Sequence, residues 1–323
     1  MRNAALSLLL DRGPRAFQPG AFLVVVPRRS GPQRLPCDNL WPMHNIKLTV
    51  AYDGTDFRGW QIQPGQPTIQ GALTEVVQEL TQERLSLQGA GRTDAGVHAW
   101  GQVVNFKTHS ELAPEEFRRG CNALLPPSIR VREAEEVGPD FHARWMAQAK
   151  TYVYSIYRGA VVPPVRWRYV LHVPQELDFA AMAEAARYFE GERDFTSFSA
   201  STGSQEEDRD QTMIRCVFRS ELIDQAESSG AAPANSICDH LSHREEWIYV
   251  VRGTSFLRYM VRKIIGTLLQ VGRSRLPAGE IPNLVEKRDR SCSGPTAPPH
   301  GLCLQSVEYP DPTASLLGKS RGR

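Results

Sequence analysis

The sequence predicts an α+β fold built in two halves, and three observations carry that prediction. The chain has 323 residues, enough for two cores of ordinary size. Period-two strand patterns alternate with helix patterns of period 3.6. The whole series then restarts near residue 149. The expected divisions are an N-terminal half over 43–145 and a C-terminal half over 146–310. A poorly structured extension, 1–42, precedes them and a flexible tail, 311–323, follows.

Ile46 to Tyr52 alternates apolar side chains on one face and reads as a strand. After a turn-rich link, Thr68 caps a helix with apolar positions at Ile69, Leu73, Val76, Val77 and Leu80. Leu85 to Gln88 reads as a short strand, and Gln102 to Lys107 as another. A helix over Glu115 to Leu124 ends at Pro126-Pro127, and Ile129 to Val137 is a strand. In the second half Thr151 to Tyr157 is a strand with Tyr152, Tyr154 and Ile156 on one face. Asp178 caps a helix that runs to Phe189. Thr212 to Ile223, Trp247 to Arg252 and Leu302 to Tyr309 are strands, and Phe256 to Val271 is a helix. Two polar stretches, 199–211 and 224–245, read as loops, the second long and mobile.

Hydrophobic residues make up 41% of the chain, as in a globular protein, and net charge is +2. The longest apolar run, Ala21 to Val26, is far below the roughly 18 to 20 residues that span a bilayer. Residues 1–42 hold six arginines against Asp11 and Asp38, so the rest of the chain carries slightly more acid than base. Any nucleic-acid surface must therefore be a local patch. Six cysteines are scattered without a C-x-x-C or other metal-ligand spacing, which reads as free thiols in a reducing compartment. The 1–42 segment fits an organelle presequence or an upstream start with Met43 as the true first residue. The second reading is preferred, because Met43-His44-Asn45 leads straight into the first strand.

The stretch GAGRTDAGVHAW, 89–100, poses the chemical question. Glycine-rich loops bind phosphate through backbone N–H groups, yet this one carries a carboxylate, Asp94, at its centre. A dinucleotide fingerprint fails here: it needs a following helix, and QVVNFK is strand-like. An Asp in such a turn often only bonds its own backbone. Arg92 two residues before and His98 four after favour a functional carboxylate, with His98 holding the loop.

GAGRTDAGVHAWGQVVNF resembles the signature of the TruA family of tRNA pseudouridine synthases. The resemblance continues in order through AYDGTDFRGWQIQP, FHARWMAQAKTYVYSIY, DFTSF, SFLRYMVRKIIGTLLQVG and GPTAPPHGL, covering about residues 46–310. It implies two α/β-sandwich (ferredoxin/RRM-like) subdomains with abutting antiparallel sheets and a central RNA-binding cleft. It also implies a cytoplasmic homodimer (an organelle enzyme, if 1–42 is a presequence) that shares one tRNA. The targets implied are uridines 38 to 40 of the anticodon stem-loop, and neither cofactor nor metal is called for.

By the same resemblance Asp94 is the catalytic carboxylate, acting either as nucleophile or as base on a sugar proton. Arg262 in MVRKIIG is its salt-bridge partner. An opposite charge at about 4 Å is worth about 4 kcal/mol at an effective dielectric near 20, before desolvation, which would keep Asp94 ionised. Tyr152 in AKTYVYSIY stacks on the flipped uracil, with its hydroxyl placed to help remove the C5 proton. Arg92 matches the arginine that flips the base and contacts phosphate. Arg58, Arg144, Lys150 and Arg258 are further candidates for the RNA backbone. DQT at 210–212 departs from the family pattern, which often has an arginine before the threonine. The rival function is a catalytically idle tRNA-binding module. A carboxylate hydrolase of nucleosides is a third reading, but it would want a second acid near Asp94.

Overall fold

Backbone pairing accounts for the architecture. The computed structural model describes residues 42–200, 212–228 and 245–310. Nearly all of the N-terminal extension, most of both polar loops, the tail, and Asp210-Gln211 lie outside these residues. In chain order the elements are β1 (His44–Tyr52), α1 (Ile69–Thr81), β2 (Gln88–Gly89), β3 (His98–Thr108), α2 (Pro114–Leu124) and β4 (Ile129–Val137). Then come β5 (Ala149–Tyr157), β6 (Leu171–His172), α3 (Phe179–Arg187), β7 (Gly191–Asp194), β8 (Ile214–Asp224) and α4 (Gln225–Ser228). The series closes with β9 (Glu246–Gly253), α5 (Met260–Gly272), α6 (Ile281–Glu286) and β10 (Leu302–Glu308).

The fold is mixed α/β, with one ten-stranded sheet ordered β4-β1-β3-β10-β5-β9-β8-β7, β2 lying on β3 and β6 on β5. Strands of the first half fill one side and those of the second half the other. The last strand joins them. β10 runs antiparallel to β5, with Leu304 opposite Tyr152, and parallel to β3 over two residues, Cys303 beside His98 and Leu304 beside Ala99.

The sequence patterns explain the local structure. Ile46, Leu48, Val50 and Tyr52 of β1 all point into the core. Tyr152, Tyr154 and Ile156 do the same on β5. The Thr68 side chain accepts the Gly71 N–H and starts α1, which buries Ile69, Leu73, Val76 and Val77. Asp178 accepts the Ala181 N–H and starts α3. One continuous apolar cluster runs through both halves.

Three expectations need correcting. The strand expected over Leu85–Gln88 is confined to Gln88–Gly89. β3 begins at His98, four residues early, because it takes in Gly101; a Cβ there would lie 2.6 Å from the Gln305 carbonyl oxygen, where β10 passes. α5 begins at Met260 and not at Phe256, because Tyr259 sits in the left-handed region at φ 62°.

Candidate active site

The stretch 89–94 is pinned at nearly every residue. Ala90 N–H donates to the Val103 carbonyl at 2.8 Å, and Lys150 Nζ donates to the Ala90 carbonyl at 2.7 Å. Gln102 Nε2, fully buried, donates to the Gly91 carbonyl at 2.8 Å. Thr93 Oγ1 and the Tyr52 hydroxyl share a 2.8 Å hydrogen bond inside the core, and Trp60 N–H donates to the Thr93 carbonyl. Asp94 opens a turn closed by Val97 N–H onto its carbonyl, with Gly96 at φ 78°. The loop's glycines make room for protein neighbours: added Cβ atoms would meet Trp60 from Gly89, Lys150 Nζ from Gly91 and Pro299 from Gly96. His98 is structural. Its Nδ1 accepts the Gly54 N–H, and its Nε2 donates to the Arg168 and His300 carbonyls at 3.0 and 3.2 Å.

The loop presents Asp94 to helix α5 of the second half. Arg262 Nη1 lies 3.0 Å from Asp94 Oδ2, and Arg262 Nε donates to the Ala297 carbonyl at 2.7 Å. The Ala297 N–H returns a bond to the Arg262 carbonyl. The Pro295–Pro299 segment is thus a brace: it holds Arg262, accepts the Tyr154 hydroxyl at Pro298 and touches Gly96. Nothing in a Pro-rich stretch announces that role. Gly266 of α5 allows the brace to lie close, since a Cβ there would fall 1.6 Å from the Pro295 oxygen.

Tyr152 is buried, its ring packed edge-on against Phe256 at 5.2 Å between centroids. Arg258 is exposed, and its charge acts on Asp94. The guanidiniums of Arg258 and Arg262 lie 5.0 and 4.9 Å from the Tyr259 ring centre. Tyr259 is a residue that sequence reasoning missed, and its left-handed backbone has no signature in the residue type. Arg92 and Arg58 are exposed, as expected of groups that would meet RNA. Arg144 is exposed with its guanidinium over Trp145, while Lys150 is turned inward beneath the loop.

Burial and the nearby cations act on Asp94 in opposite directions. Burial pushes the Asp94 carboxyl above its ordinary range; the hydrogen bond and charge of Arg262, and the charge of Arg258, pull down but do not prevail. Burial, with smaller contributions from Tyr52 and Asp94, pushes the Tyr152 phenol well above its ordinary value. Lys150 is pulled down to about 8 by burial and by the charges of Arg144 and Arg215.

In this mixed α/β fold a loop of the first half and helix α5 of the second are joined by one ion pair, and its carboxylate, Asp94, is the candidate reactive group. Comparison with known proteins places the chain. Residues 48–145 and 185–310 match the family model described as tRNA pseudouridine synthase. A tRNA pseudouridine synthase A of Solibacter usitatus is 45% identical over 267 residues, 83% of this chain and 100% of the relative. Proteins of the same name from Moorella thermoacetica and Caldicellulosiruptor saccharolyticus are 42% and 39% identical, each alignment spanning at least 82% of this chain and 99% of the relative. The chain belongs to the TruA family of tRNA pseudouridine synthases, which are isomerases. Among the described residues, no helix is long and apolar enough to cross a membrane.

Proposed function

We propose that this protein converts uridine to pseudouridine in tRNA, at positions 38 to 40 of the anticodon stem-loop. The observation that carries the reading is the Asp94–Arg262 pair, which links the loop of the first half to α5 of the second, with the buried Tyr152 near enough to feel the Asp94 charge. In the reaction the C1′–N1 bond breaks, the freed uracil turns and C1′ bonds to C5. C5 then gives up its proton and N1 gains one. Asp94, ionised, is the group that attacks a substrate carbon or removes a sugar proton. Arg262 supports that ionised form against the burial that opposes it. Tyr152 offers the face of its ring to the extruded base. Its phenol is held protonated, so it serves as a hydrogen-bond partner and not as a resting-state base.

The finer architecture belongs to the same proposal: two ferredoxin/RRM-like subdomains abutting at β10, with the RNA in the cleft between them. So do the RNA contacts of Arg92, Arg58, Arg144 and Arg258, a homodimer sharing one tRNA, and work in the cytoplasm. Because phosphate contacts release counterions, binding should weaken steeply with salt.

The test is direct. Unmodified tRNA transcripts are incubated with the protein without added cofactor, and pseudouridine is mapped by carbodiimide labelling and primer extension. Stops at 38 to 40 are expected. Stops elsewhere would keep the chemistry and overturn the target. Binding without product across several tRNAs would put the idle binding module in its place.

A further inference from the structure

Trp145 itself has no part in the site described so far, yet the turn that carries it is tied down at several points. Phe141 and Ala143 are tied to the sheet: Asn45 and Asn105 amides donate to the Phe141 carbonyl, and the Ala143 N–H donates to Asn105 Oδ1 at 2.9 Å. The Tyr309 hydroxyl donates to the Ala143 carbonyl at 2.7 Å. Beyond these anchors, His142 Nδ1 accepts the N–H groups of Arg144 and Trp145 at 3.1 and 3.4 Å. The indole that emerges is 72% exposed, more than any other tryptophan among the described residues. A rigid backbone that holds a large apolar ring in water is a poor arrangement for folding and a good one for contact.

What lies around the ring decides the partner. The Arg144 guanidinium sits 4.8 Å from the ring centre. Arg144 and Arg215 are both close enough to lower the Lys150 ammonium's proton affinity, and Lys150 holds the catalytic loop at Ala90. None of these three cations has an ion-pair partner among the described residues. Ala143, at the base of the turn, packs in one buried cluster with Ala90 of the loop, so the ring and its arginine stand beside the loop in a cationic neighbourhood without an ion-paired carboxylate among the described residues. That suits a polyanion bearing flat apolar groups.

We infer that Trp145 is a stacking platform for a base of the bound RNA, neighbouring the target uridine, with Arg144 beside its phosphate. The inference rests on the proposed tRNA reaction and adds a substrate-positioning residue to it. An aromatic platform tolerates any base, so it positions the strand without selecting its sequence.

The experiment compares wild type, Trp145→Ala and Trp145→Phe on one unmodified tRNA transcript, with initial rates measured against tRNA concentration and Kd measured in parallel. Base–aromatic stacking predicts a roughly 5- to 150-fold weakening in KM and Kd for the alanine variant. The loss should fall mainly on KM, and phenylalanine should restore most of it. An alanine variant with unchanged KM and Kd overturns the inference, as does a phenylalanine variant as weak as alanine. Sedimentation of all three proteins covers the other occupant: if the alanine loss follows dissociation of a wild-type oligomer, the ring seats a second copy and not a base. Wild-type turnover reports separately on the reaction. Were there none, the Kd ratios would still judge Trp145.

Discussion

Replacing Arg262 by leucine removes the guanidinium that faces Asp94 and leaves the carboxyl buried. The Nη1–Oδ2 distance of 3.0 Å sets the scale. At an effective dielectric of about 20, two unit charges that close attract by about 5 to 6 kcal/mol. The side chains are 13% and 22% exposed, so solvent screens part of this. Taking one partner from a buried pair costs about 3 to 5 kcal/mol, and the low end suits this half-open site. Felt in the transition state, about 3 kcal/mol is a loss of roughly a hundredfold in kcat/KM near neutral pH. The sign of the pH effect follows. Burial already holds Asp94 above its ordinary range, and Arg262 is the main influence pulling it down. Without Arg262 the carboxyl rises further, less of it is ionised near neutrality, and the acid limb of kcat/KM moves to higher pH. Arg262→Lys keeps a charge but loses the Nε bond to Ala297, and should fall between. Release of tritium from tRNA carrying C5-tritiated uridine, followed across pH, reads all three proteins. A leucine variant within threefold of wild type at every pH, or an acid limb that stays in place, would refute the reasoning.

Two further outcomes follow from the loop and its supports. Lys150→Met removes the donor to Ala90, and a hydrogen bond from a charged group is worth about 1.5 to 3 kcal/mol. If the loop positions Asp94, kcat should drop roughly ten- to a hundredfold with KM little changed, and Lys150→Arg should recover part; an unaltered kcat would show that Asp94 does not depend on this strut. His98 is held below its ordinary pKa by burial, so the unfolded chain takes up a proton first as pH falls. Its stabilising contribution is full above the ordinary histidine value of about 6.5 and declines as pH drops from there towards the lower folded value. His98→Gln should therefore lower the urea midpoint near neutral pH and flatten the slope of stability against pH below it. An unchanged slope would place the titration elsewhere.

Much of the fold was legible because its signals are local. Alternation in Ile46 to Tyr52, the helical spacing after Thr68 and the cap at Asp178 each depend on neighbours in sequence, and each element appears where they place it. The insertion of β10 between β3 and β5 was not legible, since a two-residue parallel contact between distant segments leaves no periodic trace. The site divides in the same way. Asp94 and Arg262 could be named from motif resemblance, and the structure sets them 3.0 Å apart. The direction of the Asp94 shift could not be read, because a charge partner follows from residue type while desolvation follows from what surrounds the group. Lys150 shows the same limit. A lysine reads as a surface charge, and its inward turn shows only in the tertiary contacts, the bond to the Ala90 carbonyl and the close approach to Gly91, where a Cβ would lie 3.2 Å from its Nζ.

The central claim is that Asp94 performs the chemistry while the rest of the surface holds the RNA. Its most direct test is to measure pseudouridine formation and tRNA Kd side by side for wild type and Asp94→Ala. Product should vanish in the variant while Kd stays within several-fold of wild type. Substantial turnover by the alanine variant would contradict the account.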